Sequence, residues 1–405
     1  MRRSRGSAAT SDPRTGREPE PFSRLGTVIT GVYDFVVVGA GPAGSRFARR
    51  AAEAGREVLL LESGTVGEPL ACSGHVSTDL WEYVDDGAVD RLRQNRVFGA
   101  RFHVGGPESA PYPFYKREPV SNVIDRVGLD RTLADLAEDA GADLREGHTV
   151  VSVDERGDRV VVEASLADGA TERFEARMVA GCDGPTSRVR RALDLPEPDE
   201  LLHGVLAFDD AADAGDYVDV HLTAPTFFAW RIPRGDAGVE YGLAAPPSED
   251  VSAGFDRLTD AYGATTDRRC SGAIPVGPPA RTTSDRGFLI GDAAAQTKPF
   301  TGGGILYGMR AADVAAAAID PRDPATLADY ESQWREELST EIRLGKAIRR
   351  CYSLPEPVQR VGLRALSGEI GVHMDEPSSF FSPSNLRALF SRAEPPEEGR
   401  VERDA

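Results

Sequence analysis

Lysine, cysteine and long apolar runs are scarce in this chain, and each shortage excludes something. Only three lysines, Lys116, Lys298 and Lys346, stand among 47 basic residues, and 65 acids carry the formal charge of the 405-residue chain to −18. No basic stripe is evident against that acidic background, so phosphate-rich nucleic acid is repelled and is not an expected partner. Salt screens the self-repulsion that such a charge imposes, so stability is expected to rise with added salt. The four cysteines, Cys72, Cys182, Cys270 and Cys351, lie far apart with no Cys-x-x-Cys spacing. They give neither a zinc site nor a disulfide framework and fit a reducing cytoplasm. No apolar run reaches the length of a membrane span, so the chain is expected to be cytoplasmic and at most peripheral to a membrane. Arg2 and Arg3 invite an export reading, but no apolar segment follows them. Residues 1–32 are expected to form a disordered leader and 394–405 a polar tail.

What is present begins at Tyr33. Residues 33–38 form an apolar strand pattern, and Gly39-Ala40-Gly41-Pro42-Ala43-Gly44 form a glycine turn. An Ala- and Arg-rich helical run follows, then a second strand at 58–61 that ends in Glu62 and Ser63. Gly39 permits the tight turn, Gly41 lets backbone N–H groups approach a pyrophosphate, and Gly44 lets helix and strand pack closely. Glu62, 18 residues beyond Gly44, is placed to accept from a ribose hydroxyl. Strand, turn, helix and acid together point to a bound dinucleotide.

Two later strand ends decide which dinucleotide. Residues 177–184 run as an apolar strand into Asp183-Gly184, and residues 287–292 run as a strand into Gly291-Asp292. The turn Gly302-Gly303-Gly304 then precedes a helix that opens at Ile305. Three strand-end glycine and acid sites in this order resemble the FAD-binding signature of the flavoprotein hydroxylase superfamily. Within it the chain most resembles the geranylgeranyl reductase family, over residues 33–350. The resemblance implies FAD as cofactor, held by Gly39, Gly41, Ala43, Gly44, Glu62, Ser63, Arg126, Asp183, Gly184, Gly291, Asp292, Gly302, Gly303, Gly304 and Ile305. Asp292 would hold the ribityl or pyrophosphate part, the 302–304 turn would meet the isoalloxazine, and Arg126 would lie close by. A helix opening near Gly304 would turn its positive end toward the N1/O2 edge and favour the anionic reduced flavin. The acid-rich, lysine-poor composition resembles that of proteins from halophilic archaea.

The expected fold class is mixed α/β (α+β), a Rossmann-like FAD-binding domain with an inserted β-rich substrate domain and C-terminal helices. A chain of this length is larger than a single core usually grows, so two closely knit domains are the default. The FAD-binding domain would come in three parts, 33–125, 126–200 and 276–330, with the substrate domain at 201–275 and a helical region at 331–393. Val127, Leu129, Leu133, Leu136, Ala137 and Ala140 recur at helical spacing up to Gly141. Residues 150–153, 160–163 and 173–179 read as short strands.

Residues 226–244 carry the second informative pattern. Phe228, Trp230 and Ile232 alternate with Ala229 and Arg231 ahead of Pro233, and Gly242 follows. On a strand the three share one face, a flat apolar wall suited to an isoprenoid chain. The segment resembles the aromatic-x-Trp-x-apolar-Pro motif that lines the substrate channel of geranylgeranyl reductases. Ala244 stands where that family has a second glycine, a departure that bears on the channel's width. Phe228, Trp230, Ile232, Pro233 and Gly242 are therefore the expected substrate residues. Cys72, followed by Ser73 and Gly74, resembles the Cys-x-Gly segment that sits against the flavin in that family. It is the expected catalytic residue, positioning or protonating substrate, with His75 as a second proton-donor candidate and no metal called for.

The implied reaction is FAD-dependent reduction of C=C bonds in a geranylgeranyl or other polyprenyl group, of archaeal ether-lipid precursors or of a menaquinone tail. A flavin-dependent monooxygenase or halogenase is an alternative, because residues 228–233 approximate a halogenase Trp-x-Trp-x-Ile-Pro segment with phenylalanine first. A halogenase needs a positioned lysine, and Lys298 alone lies near the flavin motifs. A non-catalytic flavin- or lipid-binding protein is the remaining reading. No second glycine fingerprint marks a nicotinamide domain, which leaves the external electron donor open between ferredoxin, a flavoprotein and NAD(P)H.

Overall fold

The computed structural model describes residues 28–69, 72–267, 269–370, 373–383 and 385. The expected tail at 394–405 and residues 1–27 of the expected leader lie outside them. β1 (Val28–Val38) leads through the glycine turn into α1 (Pro42–Glu53) and β2 (Val58–Leu61). β3 (His75–Ser77), α2 (Ala88–Leu92), β4 (Arg93–Val97), β5 (Gly99–His103), β6 (Pro111–Tyr115) and β7 (Ser121–Ile124) follow. Next come α3 (Arg126–Asp139), β8 (Asp143–Arg145), β9 (Thr149–Arg156), β10 (Arg159–Ser165), β11 (Thr171–Gly181) and α4 (Arg188–Ala192). β12 (Glu200–Asp209), β13 (Tyr217–His221), β14 (Ala229–Pro233) and β15 (Val239–Ala245) precede α5 (Val251–Tyr262) and β16 (Cys270–Val276). The chain ends through β17 (Gly287–Leu289), α6 (Ile305–Ala318), α7 (Thr326–Arg350) and α8 (Glu356–Leu366).

One sheet has the order β8-β2-β1-β11-β10-β9, with β17 also against β11. β8, β2, β1, β11 and β17 run parallel, which requires long crossovers such as the one through α1. β1 is covered on both faces, so residues 35–38 are all apolar. Phe35 and Val37 join the core under the helices with Phe47, Leu60 and Trp334, while Val36 and Val38 join the opposite core with Leu59 and Val160. On the helix side Phe35, Phe47 and Phe288 meet edge to face at 5.1 to 6.2 Å. β1 starts earlier than the leader boundary at 32 allows. Val28 is paired with Arg173 and Val32 with Glu175, so backbone pairing with β11 draws residues 28–32 into the sheet.

The second large sheet has the order β16-β12-β15-β14-β13-β5-β6. Five of its strands come from the expected substrate domain, but β5 and β6 come from the expected first part of the FAD domain, a correction to the 33–125 boundary. β5 lies parallel to β13, and buried Asp219 on β13 stitches the two strands. Its carboxylate takes Arg101 Nε at 2.7 Å and lies 3.0 Å from His103 Nε2. A three-stranded sheet, β3-β7-β4, carries the chain between the two layers. No helix among the described residues is long and apolar enough to cross a membrane.

Candidate active site

The turn after β1 packs as its glycines require. A Cβ on Gly39, whose φ is +99°, would lie 2.5 Å from the Cys182 carbonyl oxygen, and one on Gly44 would lie 1.9 Å from the Gly39 carbonyl oxygen. A side chain at either would drive helix and strand apart. Over Gly41 the space is open, since a Cβ there meets nothing within 4 Å, and α1 begins at that point without a side-chain cap. Free N–H groups facing open space are what a phosphate needs. Glu62 braces the turn from the end of β2, accepting from Ala40 N at 2.9 Å, Ser63 Oγ at 3.0 Å and Gly64 N at 3.1 Å. Glu62 and Ser63 stand beside the turn, outside the lining of the cavity that opens from it.

That cavity measures about 910 Å³ and lies between the second large sheet and the loops that follow β1, β11 and β17 of the first. Gly41, Ala43, Arg126 and Gly184 line it together with Gly291, Asp292 and the 302–305 turn at the start of α6. Phe228, just before β14, and Trp230 and Ile232 on it line the same cavity, and so does Cys72. Arg126 is buried and ion-paired with Asp130. Although burial opposes its charge, the paired Asp130 holds the guanidinium above its usual range. Burial pushes the Asp292 carboxyl up to about 6, with Arg126 pulling the other way. The residues fit FAD on three counts. Arg126 Nε is a buried donor without a partner, the helix starts at Gly41 and Gly304 carry no side-chain caps, and no Cβ would meet anything over Gly41 or Gly184.

Three expected site residues are turned elsewhere. Asp183 accepts from Ser187 Oγ at 2.5 Å, Arg188 N at 2.7 Å and Val189 N at 3.1 Å. The free N–H groups of the nearby α4 capture it, and it does not line the cavity, though Gly184 does. Pro233 also lies off the cavity, its carbonyl taking Asn95 Nδ2 at 3.0 Å. Gly242 sits behind the wall, where a Cβ would fall 2.2 Å from the Trp230 indole, so its lack of a side chain makes room for that ring. Ala244 is fully buried behind Phe228, donating to the Phe228 carbonyl at 3.2 Å. It does not line the cavity and so does not set the channel's width.

Other residues reach the site unannounced. Phe102 of β5 and Phe114 of β6, with ring centroids 5.4 Å apart, line the cavity; two short runs with aromatics were their only sequence signal. Lys298 Nζ meets Asp375 Oδ1 at 2.7 Å with both side chains buried. Burial works against it, yet Lys298 holds the Asp375 carboxyl below its usual range. His75 Nε2 lies 2.7 Å from Ser121 Oγ, and burial pushes its imidazole down to about 3, so the expected proton donor is neutral at physiological pH. Arg234 ties the sheets together, donating to the Ser73 carbonyl at 2.7 Å, the Ile124 carbonyl at 3.1 Å and Glu240 at 3.0 Å. Glu240 also takes the Trp230 indole N–H at 2.8 Å. Burial pushes its carboxyl up to about 7, opposed by Arg234 and that indole. The Cys72 loop and the aromatic wall are thus joined through one buried arginine.

Comparison with known proteins agrees with this geometry. Residues 32–219 match the FAD binding domain family. Digeranylgeranylglycerophospholipid reductase 2 of Methanothermobacter thermautotrophicus is 30% identical over 364 residues, 83% of this chain and 92% of that protein. Digeranylgeranylglycerophospholipid reductase 1 of Methanopyrus kandleri is 31% identical, over 80% of this chain and 91% of its own length. The fold is that of a geranylgeranyl bacteriochlorophyll reductase-like protein from Thermoplasma acidophilum, with a TM-score of 0.74 at 24% identity over 89% of this chain and 96% of that one. Matched along almost the whole of these reductases and carrying an FAD binding domain, the chain belongs to the digeranylgeranylglycerophospholipid reductase family.

Proposed function

We infer that the protein is an FAD-dependent reductase of C=C bonds in geranylgeranyl or related polyprenyl groups, the activity named for its curated relatives. The observation that carries this reading is the continuity of one cavity from the glycine turn of β1 to the aromatic face of β14. Around the turn the wall is rich in N–H groups and holds the Arg126 charge, as FAD requires. Elsewhere it is mostly apolar, as a polyprenyl chain requires. Bound FAD supplies the two-electron reduction. Gly41, Ala43, Arg126, Asp292 and the 302–305 turn hold it, and the uncapped start of α6 favours negative charge beside it.

Phe228, Trp230 and Ile232 hold the prenyl chain flat and keep water from the reacting bond. Remote prenyl units contribute binding energy that fixes the bond in place. Cys72, on the same cavity wall as Arg126, orients the alkene or holds the proton it receives at Sγ. Lys298 is engaged by Asp375, which tells against a halogenase that would need that amine free. The substrate is an ether-lipid precursor met at a membrane surface, and electrons arrive from an external donor.

Anaerobic titration tests the reading. The reduced flavoprotein is offered digeranylgeranylglycerophospholipid and a prenylated quinone in turn. Flavin reoxidation with one H2 gained per double bond supports it. Flavin that stays reduced with every prenyl substrate, yet turns over oxygen rapidly with NAD(P)H, removes it in favour of a monooxygenase.

A further inference from the structure

Among the described residues seven large apolar side chains are exposed, and five of them, Leu354, Val358, Val361, Leu366 and Phe381, fall within residues 354–381. Val358, Val361 and Ala365 recur at three- and four-residue spacing on α8, and Gln359 is the one buried residue of that helix. A short amphipathic helix that buries so little gains little from packing within the protein itself. The exposed face is continuous with the site, because Leu354, Val358, Leu366 and Phe381 also line the cavity.

Charge singles out the same segment. Residues 343–366 carry six bases, Arg343, Lys346, Arg349, Arg350, Arg360 and Arg364, against one acid, Glu356, within a chain of net charge −18. Composition hides this stripe. Arg349 and Lys346 are paired with Glu200 and Asp199, but Arg350 and Arg364 are exposed and make no ion pair among the described residues. The neighbouring acids Glu369 and Glu376 are themselves paired, with Arg117 and Arg310.

We propose that α8 and the turn at 377–381 are the surface by which the protein rests on an anionic lipid bilayer, with the cavity mouth opening into the lipid. Val361 and Phe381 enter the acyl boundary and the free arginines meet the headgroups, the two signals that stable interfacial binding needs. A prenyl tail then passes from bilayer to cavity without crossing water. What enters rests on the polyprenyl-lipid reading; the docking itself needs no turnover.

Flotation with vesicles separates the two. Wild-type holoprotein, Val361→Asp and the double variant Arg350→Ser/Arg364→Ser are floated with vesicles of phosphatidylglycerol and phosphatidylcholine in equal parts, and with phosphatidylcholine alone. Wild type is expected to float with the anionic vesicles. Partition should fall about thirty-fold in the double arginine variant and about tenfold or more in Val361→Asp. Both variants should keep FAD and reduce detergent-dispersed prenyl substrate at the wild-type rate. Wild type that does not float, or variants that float equally well, overturns the proposal. Unchanged flotation with a dimer lost in Val361→Asp, or with a raised KM for the electron donor in the arginine variant, overturns it in favour of a second copy or an acidic donor protein. Flotation as expected with no prenyl substrate reduced leaves the docking standing and removes the reductase reading; the reverse pattern removes the docking alone.

Discussion

Replacing Gly242 by alanine perturbs the aromatic wall from behind, because the new methyl has no room. Its Cβ would sit 2.2 Å from Trp230 Cε2 and Cζ2 and 2.6 Å from Nε1, whereas carbon atoms in contact settle about 3.5 Å or further apart. The indole must therefore shift by roughly 1 Å or more, and it is not free to do so. Its N–H is bonded to Glu240 at 2.8 Å, and its ring meets Phe228 edge-on at 5.9 Å. Overpacking of this kind costs about 1–3 kcal/mol, and losing the bond to a buried carboxyl adds about 1 kcal/mol. A total near 3 kcal/mol corresponds to a fall in Tm of about 3–4 °C in a chain of this size. Thermal unfolding of the holoprotein measures it, in wild type, Gly242→Ala, Trp230→Ala and the double variant. With the indole gone the methyl has nothing to displace, so in the Trp230→Ala background Gly242→Ala should cost less than about 0.5 kcal/mol. Additive effects around that cycle, or a Gly242→Ala protein that melts with wild type, would refute the reasoning.

Glu240 gives a pH dependence. Its carboxyl is raised by burial from 4.5 to about 7, so its stabilisation is complete below the lower value and is lost as pH rises through the higher one. Wild type should lose up to about 3 kcal/mol across that window, and Glu240→Gln should flatten the decline; parallel Tm curves would dismiss the buried acid. Replacing Arg126 and Asp130 together by methionine removes the orphaned donor without stranding a buried carboxylate. FAD titration should then show affinity weakened about tenfold or more, and unchanged affinity would take Arg126 out of the cofactor site. The charge of −18 predicts a Tm that climbs with added KCl as repulsion is screened, and a flat or falling Tm would place the acids in local pairs instead.

The parts of the fold that are legible in the sequence have local causes. The turn at 39–44 is specified by close approaches among neighbours in the chain, and α3 follows from apolar spacing closed at Gly141, running Arg126–Asp139. What escapes the sequence depends on distant partners. β5 carries no strand reading in the sequence, nothing in residues 99–103 names a parallel neighbour more than a hundred residues away, and the reason for that pairing, buried Asp219 taking Arg101 and His103, exists only after folding. Asp183 sits at a strand end as a cofactor acid would, but the start of α4 five residues on competes for it and wins. Gly242 is needed, though as relief behind Trp230 and not as part of the wall, because a motif records that a residue is required without recording which neighbour requires it.

Charge teaches the same lesson at the surface. A net charge is a sum, and six bases near α8 disappear inside −18. The total sets solubility and the response to salt, while contact is made by a patch whose field extends about 10 Å at ordinary ionic strength. An acidic protein can therefore present a basic, apolar face to an anionic bilayer. That face lies at the mouth of the cavity, where a lipid reductase would need it.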